Sequence, residues 1–150
     1  MLIAALVGIG SAPAAAVPRA RGGTSFEDAP LLKPGRFVDE IAAGETLFYA
    51  VQVEERQRLS VGLEVHPGGR APRVAARLRV YNRDRIEDVF AHEPKVVGPG
   101  PSTALRTAGG IVVISPDYPR PGIQYFSIAT EFIGRRIAGS YALRIRVGVE

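Results

Sequence analysis

Residues 44–65 read GETLFYAVQVEERQRLSVGLEV, and this stretch decides the fold class of the 150-residue chain. Apolar side chains recur at every second position in its two halves: Leu47, Tyr49, Val51 and Val53, then Leu59, Val61, Leu63 and Val65. A period of two places such side chains on one face of a β-strand. The wholly polar residues 54–58 between the halves are typical of an exposed turn. The stretch therefore predicts two strands joined as a hairpin.

Short strands are also predicted along the rest of the chain. The alternation returns in Val74–Tyr81 and Ser140–Val149. Residues 111–114 are a continuous apolar run that predicts a buried strand, and residues 123–132 predict a further strand. Residues 37–41 predict a short edge strand, and residues 89–91 could pair briefly. The 17 glycines and 12 prolines fall mainly between these runs, as expected of turns. We therefore predict an all-β fold: an antiparallel β-sandwich, jelly-roll-like, with six to eight strands.

The first 16 residues have the pattern of an export signal. They are apolar from Leu2 to Ile9 and then rich in small residues, and Ala14-Ala15-Ala16 fits the small-x-small pattern that a signal peptidase cuts, here before Val17. The apolar run is too short to span a bilayer. Because no basic residue precedes it, a buried N-terminal strand or helix is the alternative. We expect residues 1–16 to be a signal peptide, 17–23 a flexible lead-in and 24–150 one domain that is secreted or held in the cell envelope.

Charge and cysteine content exclude several classes of function. The net charge is +4, but the arginines are spread along the chain and form no Lys/Arg run, so we do not expect nucleic-acid binding. There is no cysteine, which excludes a disulfide framework, a thiolate metal site, a cysteine nucleophile and a lipoprotein anchor.

Candidate catalytic and metal-binding residues are few. A nucleophilic triad needs a serine beside an oriented base, yet the two histidines, His66 and His92, are isolated and no Gly-x-Ser-x-Gly elbow surrounds Ser115. Two separate histidines are also too few for a zinc site. The chain is therefore not expected to be an enzyme.

Calcium needs clustered oxygen ligands. The acidic candidates are Glu27, Asp28, Asp39, Glu40, Asp84 and Asp117, and they would have to be brought together by loops. No dense acidic cluster appears in the sequence, so calcium is possible but not favoured, and we expect no cofactor.

Three segments together resemble one known family. The first is residues 45–65; the second, LRVYNRD at 78–84, is similar to a leucine-x-leucine-tyrosine-aspartate strand and turn. The third joins PGIQYFSI at 121–128 to GSYALRIRV at 139–147 and is similar to a closing pair of strands. Residues 43–149 thus resemble the bacterial pre-peptidase C-terminal domain group. The resemblance implies a non-catalytic jelly roll outside the cytoplasm that accompanies a peptidase or another envelope domain. Some members bind calcium, but the turn at residues 82–85 lacks the family's glycine.

Two candidate binding regions follow from the predicted strand faces. Arg77, Arg79, Arg144 and Arg146 point outward, and if their strands are neighbours they form one basic patch with Tyr81 beside it. Such a patch could hold an acidic glycan, a lipid headgroup or an acidic partner. The second region is the loops at residues 66–70 and 116–122, where Tyr118 and Arg120 are the candidate contacts.

These observations favour an exported, non-catalytic accessory or binding module associated with an envelope protein or a secreted peptidase. Two alternatives remain open at this point: a structural spacer of a larger surface protein that continues past Glu150, and a carbohydrate-binding domain. An envelope protein or a glycan is the expected partner, with no nucleic acid and no membrane span in the chain.

Overall fold

The computed structural model describes residues 16–87, 95–99, 105–106, 108–114 and 121–150. These residues form ten strands and no helix. The strands are β1 (Leu31–Leu32), β2 (Gly35–Ala42), β3 (Thr46–Val53), β4 (Leu59–Pro67), β5 (Val74–Tyr81), β6 (Lys95–Pro99), β7 (Leu105–Arg106), β8 (Ala108–Ile114), β9 (Gly122–Phe132) and β10 (Ser140–Val149). Eight of them have five or more residues, which agrees with the six to eight strands predicted.

Two sheets are built from these strands. The four-stranded sheet has the order β2-β10-β4-β8, and the six-stranded sheet has the order β1-β3-β9-β5-β6-β7. All pairings between neighbouring strands are antiparallel except that of β1 with β3. From β2 to β5 the chain changes sheet at every connection, and it does so again from β8 to β10. This alternation is the winding of a jelly roll, and the predicted fold class is confirmed.

The predicted hairpin at residues 44–65 is wrong in its pairing. Its halves are strands, β3 and β4, but β3 pairs with β1 and β9, whereas β4 pairs with β10 and β8. The polar connection between them crosses from one sheet to the other, and the strand ends are held elsewhere: Arg58 and Glu150 exchange two backbone hydrogen bonds of 2.6 and 3.0 Å. Because both sheets bury one face in the same core, alternation identifies the buried face and not the neighbouring strand.

One apolar core lies between the two sheets. The four alternating residues of β3 and the four of β4 named above are buried, and so are Leu78 of β5, Phe126 and Ile128 of β9 and Ile145 of β10. The Tyr49 and Phe126 rings stack with their centroids 4.8 Å apart. The Tyr141 hydroxyl donates a hydrogen bond to the carbonyl oxygen of Pro72. Close packing of these apolar side chains holds the two sheets together.

Most of the predicted strand faces are confirmed. Ala76, Leu78 and Val80 of β5 point into the core while Arg77, Arg79 and Tyr81 point out, and β10 alternates in the same way. β2 pairs with β10 and has no second neighbouring strand among the described residues, as predicted for an edge strand. Residues 89–91 lie outside the described residues, and the structure does not describe the side chains of residues 111–114.

The segment before Thr24 is bound to the sandwich, which corrects the predicted flexible lead-in at residues 17–23. Val38 of β2 donates to the carbonyl of Pro18 (3.0 Å) and accepts from the amide of Ala20 (2.9 Å), and Gly23 and Phe48 of β3 exchange two backbone hydrogen bonds. The segment therefore crosses from the edge of one sheet to the edge of the other. The glycine pair suggested flexibility, but Gly23 is buried and backbone pairing holds it.

Gly44, in the turn between β2 and β3, is a sensitive backbone position. Its φ of +82° lies in the left-handed region, and an added Cβ would overlap the ring of Phe132. We expect Gly44→Ala to lower the free energy of unfolding by about 2–4 kcal/mol, because the left-handed conformation costs about 1 kcal/mol and overpacking about 1–3 kcal/mol. Urea denaturation measures the change. Gly69→Ala is the control, since nothing lies within 4 Å of its added Cβ; an equal loss in both variants would contradict the assignment.

Candidate functional site

The predicted basic patch is not a single surface. Arg77 and Arg79 lie on the outer face of the six-stranded sheet, and Arg144 and Arg146 lie on the outer face of the four-stranded sheet. The apolar core separates the two pairs. The condition for one patch, that their strands are neighbours, is not met, because β5 and β10 belong to different sheets. Whether any of the four binds a partner stays a prediction.

Carboxylates lie beside Arg77 and Arg79. The Nε atom of Arg77 is 3.5 Å from Glu131 Oε1, and the Nε atom of Arg79 is 3.3 Å from Glu87 Oε1. Arg79 Nη2 is also 3.7 Å from Glu131. Such partly exposed ion pairs contribute little to stability, but they offset the positive charge of this face. The outer face of the six-stranded sheet is therefore a poorer anion site than its two arginines alone suggest.

Tyr81 belongs to an aromatic cluster on the same face. The ring of Phe26 lies over the sheet, with its centroid 4.8 Å from Phe48, 5.0 Å from Tyr81 and 5.2 Å from Tyr125. The Tyr81 hydroxyl is 3.1 Å from Ser127 Oγ. The contacts of Phe26 with Tyr81 and Tyr125 are edge-to-face, a favourable geometry for aromatic pairs. The rings of Tyr81 and Tyr125 are thus both in contact with Phe26.

The turn at residues 24–28 holds Phe26 in this position. Asp28 accepts hydrogen bonds from the backbone amides of Thr24 (3.0 Å) and Ser25 (2.7 Å) and from both of their hydroxyls. The amide of Thr24, followed by that of Ser25, lowers the pKa of Asp28 to about 2. Because the folded pKa is depressed, these bonds favour the folded turn at neutral pH and are lost as the pH falls towards 2.

The other candidate contacts, Tyr118 and Arg120, lie outside the described residues. The predicted loop at residues 66–70 begins as the half-buried end of β4, and of these residues only Gly69 and Arg70 are exposed. His66 Nε2 lies 3.2 Å from Glu64 Oε2. This places the histidine beside a carboxylate at the end of β4.

A groove on the outer face of the four-stranded sheet brings together cations that the sequence did not connect. Its volume is about 600 Å³, and its lining includes Arg36 of β2, Gly62 of β4 and Arg144 and Arg146 of β10, with Val17 at its rim. The strand register places Arg146 directly between Arg36 and Gly62. Because Gly62 has no side chain, the sheet surface is low beside Arg146. We refer to this feature as the arginine groove.

Arg36 and Arg146 are held especially close by the register. The amide and the carbonyl of Val38 both bond to the N-terminal segment, so they point away from β10. Arg36, two residues earlier, has the same orientation, and its pair with Arg146 is therefore a non-hydrogen-bonded one. Such pairs have Cα atoms about 4.5 Å apart, and like charges directly opposite each other are unfavourable. The sheet thus holds two guanidinium groups at a place where an anion would relieve their repulsion.

The charge of the groove is only partly offset. Glu64 of β4 lies 3.8 Å from Arg144 Nη1. In the described part of the chain, neither Arg36 nor Arg146 forms an ion pair. Three guanidinium groups therefore face one carboxylate. The side chains can bind carboxylate or phosphate oxygens through paired N–H donors.

Sequence reasoning identified Arg144 and Arg146 as outward but missed Arg36. Arg36 lies two residues before Val38 and therefore shares its strand face, whereas Phe37 lies on the other face. On a strand beginning at Gly35, Arg36 would have been predicted to point outward. The predicted strand began at Phe37 instead. That Arg36 faces Arg146 could not be derived from either strand alone, because register across sequence-distant strands is a property of the fold.

Asp39, one of the predicted acidic candidates, has a structural role. Its Oδ2 atom accepts hydrogen bonds from the amide of Gly22 (2.8 Å) and from the hydroxyl of Tyr49 (2.9 Å), and Arg19 Nε lies 3.3 Å from Oδ1. Burial, followed by the charge of Asp39, raises the pKa of Tyr49 above its ordinary value. The carboxylate therefore ties the N-terminal segment to both sheets.

Among the described residues, no group of three or more His, Cys, Asp or Glu side chains is arranged to hold a metal ion. The described part of the chain also contains no helix long and apolar enough to cross a membrane.

Comparison with known proteins gives a likeness of fold. No family model matches the chain, and no curated protein matches it. Among solved structures, the chain is similar to Aeromonas hydrophila PliG, a periplasmic lysozyme inhibitor of g-type lysozyme, with 11% sequence identity and a TM-score of 0.45. The match covers 80% of this chain and 95% of that one. A likeness at this level assigns neither an activity nor a partner to the chain.

Proposed function

We propose that this protein is an exported, non-catalytic binding module whose arginine groove docks an acidic polypeptide segment of a partner in the cell envelope. The observation that carries the proposal is the pair of directly opposed arginines, Arg36 and Arg146, with no carboxylate bound to either in the described chain. An acidic side chain placed between them would remove a repulsion that the fold otherwise bears.

The surroundings of the arginines favour a polypeptide as the occupant. Val17 and Val38 lie beside the cations and are 49% and 37% exposed, so the groove combines apolar area with charge. A segment with acidic and apolar side chains complements both features. A free anion or a uniformly charged glycan would use only the arginines.

Two sequence features support the exported, accessory part of the proposal. Ala14-Ala15-Ala16 has the small-residue pattern of a signal-peptidase site. The resemblance of residues 43–149 to the pre-peptidase C-terminal domain group implies a jelly roll that works beside a partner domain outside the cytoplasm, and the jelly-roll order of the strands is compatible with it. The carbohydrate alternative has less support, because the rings of Tyr81 and Tyr125 on the other face already pack against Phe26.

Reversing the charge of the groove is expected to abolish most of the binding. We expect Arg36→Glu with Arg146→Glu to weaken binding of a fluorescent oligo-glutamate peptide by about tenfold or more, because two favourable ion pairs become repulsive. Fluorescence anisotropy at low ionic strength measures the affinity. Added salt should weaken binding by the unmodified protein, since exposed charges are screened.

The matched control has the same change in net charge at another site. Arg135→Glu with Arg136→Glu alters two exposed arginines in the connection between β9 and β10, and it should change the affinity by no more than about twofold to threefold. Equal losses in both double variants would mean that net charge, and not the groove, binds the peptide. Retention on anionic lipid vesicles without peptide binding would assign the groove to a lipid surface instead.

A further inference from the structure

Val17 is fixed at the rim of the arginine groove by its neighbours. The carbonyl of Pro18 accepts from the amide of Val38, and the amide of Ala20 donates to the carbonyl of the same residue. These two bonds hold the backbone of residues 18–20 parallel to β2. Val17 itself is exposed and lines the groove beside Arg36 and Arg144.

Pro18 ends this pairing on the groove side. In a parallel ladder, the next bond towards Arg36 would require an N–H group on residue 18, and proline has none. Bonding residues alternate along a strand, so Val17, the neighbour of Pro18, directs its backbone nitrogen away from β2 and outside this ladder. It lies one residue beyond the last fixed point, at the place where the chain reaches the groove.

The predicted cleavage site falls at this same residue. Hydrolysis of the Ala16–Val17 peptide bond by a signal peptidase adds one water, leaves a carboxylate on Ala16 and leaves an α-amine on Val17. We infer that this processing completes the arginine groove by placing the α-ammonium group of Val17 at its rim as a fourth cation that binds a carboxylate of the docked segment. The inference rests on the proposed function, because it concerns the same groove and the same acidic ligand.

The α-ammonium group differs from the arginines in its chemistry. It is a compact cation with three donors and an ordinary pKa of about 7.7–8.0, whereas guanidinium groups stay charged throughout the accessible pH range. An unprocessed chain has a neutral amide at this position. Since only the protonated amine attracts a carboxylate, its contribution to binding is present below pH 7 and is lost as the pH rises through about 8 and above.

Four charged side chains line the arginine groove together with Val17. They are Arg36 on β2, Glu64 on β4 and Arg144 and Arg146 on β10, with His66 next to Glu64. All of these side chains are the same in the processed, the acetylated and the unprocessed protein. A difference in pH dependence between two forms that differ only at the Val17 amine therefore reports on that amine.

The experiment compares proteins with different termini. Residues 17–150 contain every described strand and the whole described core, so a protein beginning at Val17 keeps the fold. It is compared with the same protein Nα-acetylated and with the full chain, using the oligo-glutamate peptide as probe over a pH series. We expect the free Val17 amine to bind about two- to fivefold more tightly at pH 7 than the acetylated form, with the difference vanishing above about pH 9. The intact mass of the full chain exported by a bacterial host should correspond to a start at Val17.

Every outcome other than the expected one would contradict the inference about the Val17 amine. If all forms bind equally and Arg36→Glu with Arg146→Glu still abolishes binding, the proposed function stands and the inference about Val17 is wrong. If no form binds the peptide, both are wrong. An exported protein that retains residues 1–16, or that begins elsewhere, also overturns it.

Discussion

Phe126→Ala is expected to lower the free energy of unfolding by about 3–5 kcal/mol, the usual cost of truncating a fully buried phenylalanine. Phe126 is 0% exposed in the centre of β9 and stacks on Tyr49 at 4.8 Å. Losing the ring removes apolar contact, opens a cavity between the sheets and forfeits an aromatic pair that contributes about 0.5–1.5 kcal/mol. Domains of this size have a total stability of about 5–15 kcal/mol, so the variant should remain only marginally folded.

Urea denaturation followed by tyrosine fluorescence or circular dichroism measures this loss. Phe126→Leu is a second variant for the case in which the alanine protein does not fold, and its loss should be clearly smaller because most of the volume is kept. Ile123→Ala is the matched control on the same strand, since Ile123 points outward and is 39% exposed. A loss at Ile123 as large as that at Phe126 would mean that the core does not lie between the sheets as described.

Strand existence and strand facing could be predicted from the sequence, but strand pairing could not. The alternation of apolar residues from Leu47 to Val53 and from Leu59 to Val65 correctly identified the buried faces of β3 and β4. A run of buried alternate residues looks the same in either sheet of a sandwich, because both sheets face one core. The short polar connection suggested a hairpin, since it is long enough for a turn and equally long enough to cross the core.

The same limit explains the errors about the candidate site. Outward facing was right for Arg79 and for Arg146, yet they lie on opposite sides of the molecule. Glu131, which lies beside Arg77, is on β9, and its nearness depends on the register of β9 against β5. Arg36 lies in the groove for a similar reason, because the register of β2 against β10 places it opposite Arg146. Local pattern determines which way a side chain points, whereas the global strand order determines what it meets.

The N-terminal segment illustrates a different limit. Composition suggested that Gly22 and Gly23 form a flexible joint, but close approach also requires glycine. An added Cβ on Gly22 would lie 2.7 Å from the Tyr49 ring, and one on Gly23 would lie 2.5 Å from Asp28. The glycines are needed because other chain segments pass close to their backbone. Only the three-dimensional arrangement distinguishes this use of glycine from flexibility.

Asp39→Ala is expected to lower the free energy of unfolding by about 2–5 kcal/mol. The substitution leaves the buried Tyr49 hydroxyl and the Gly22 amide without their acceptor, and each unsatisfied buried group costs about 1–3 kcal/mol. It also releases Arg19, which with Gly22 holds the N-terminal segment at the sandwich edge. Glu40→Ala is the control, because Glu40 is exposed on the same strand and should change stability by less than about 0.5 kcal/mol.

A loss of stability in Asp39→Ala has two candidate causes: the orphaned Tyr49 hydroxyl, and the lost bonds to Gly22 and Arg19. A double-mutant cycle with Tyr49→Phe separates them. If the main cost is an orphaned hydroxyl, removing that hydroxyl as well should recover part of the stability. Asp39→Ala with Tyr49→Phe is then expected to be less destabilised than the sum of the single variants, by about 1–2 kcal/mol. Additive losses would mean that the bond between Asp39 and Tyr49 contributes nothing specific. In that case Asp39 would stabilise the fold through Gly22 and Arg19 alone, by holding the strand segment that ends at the rim of the arginine groove.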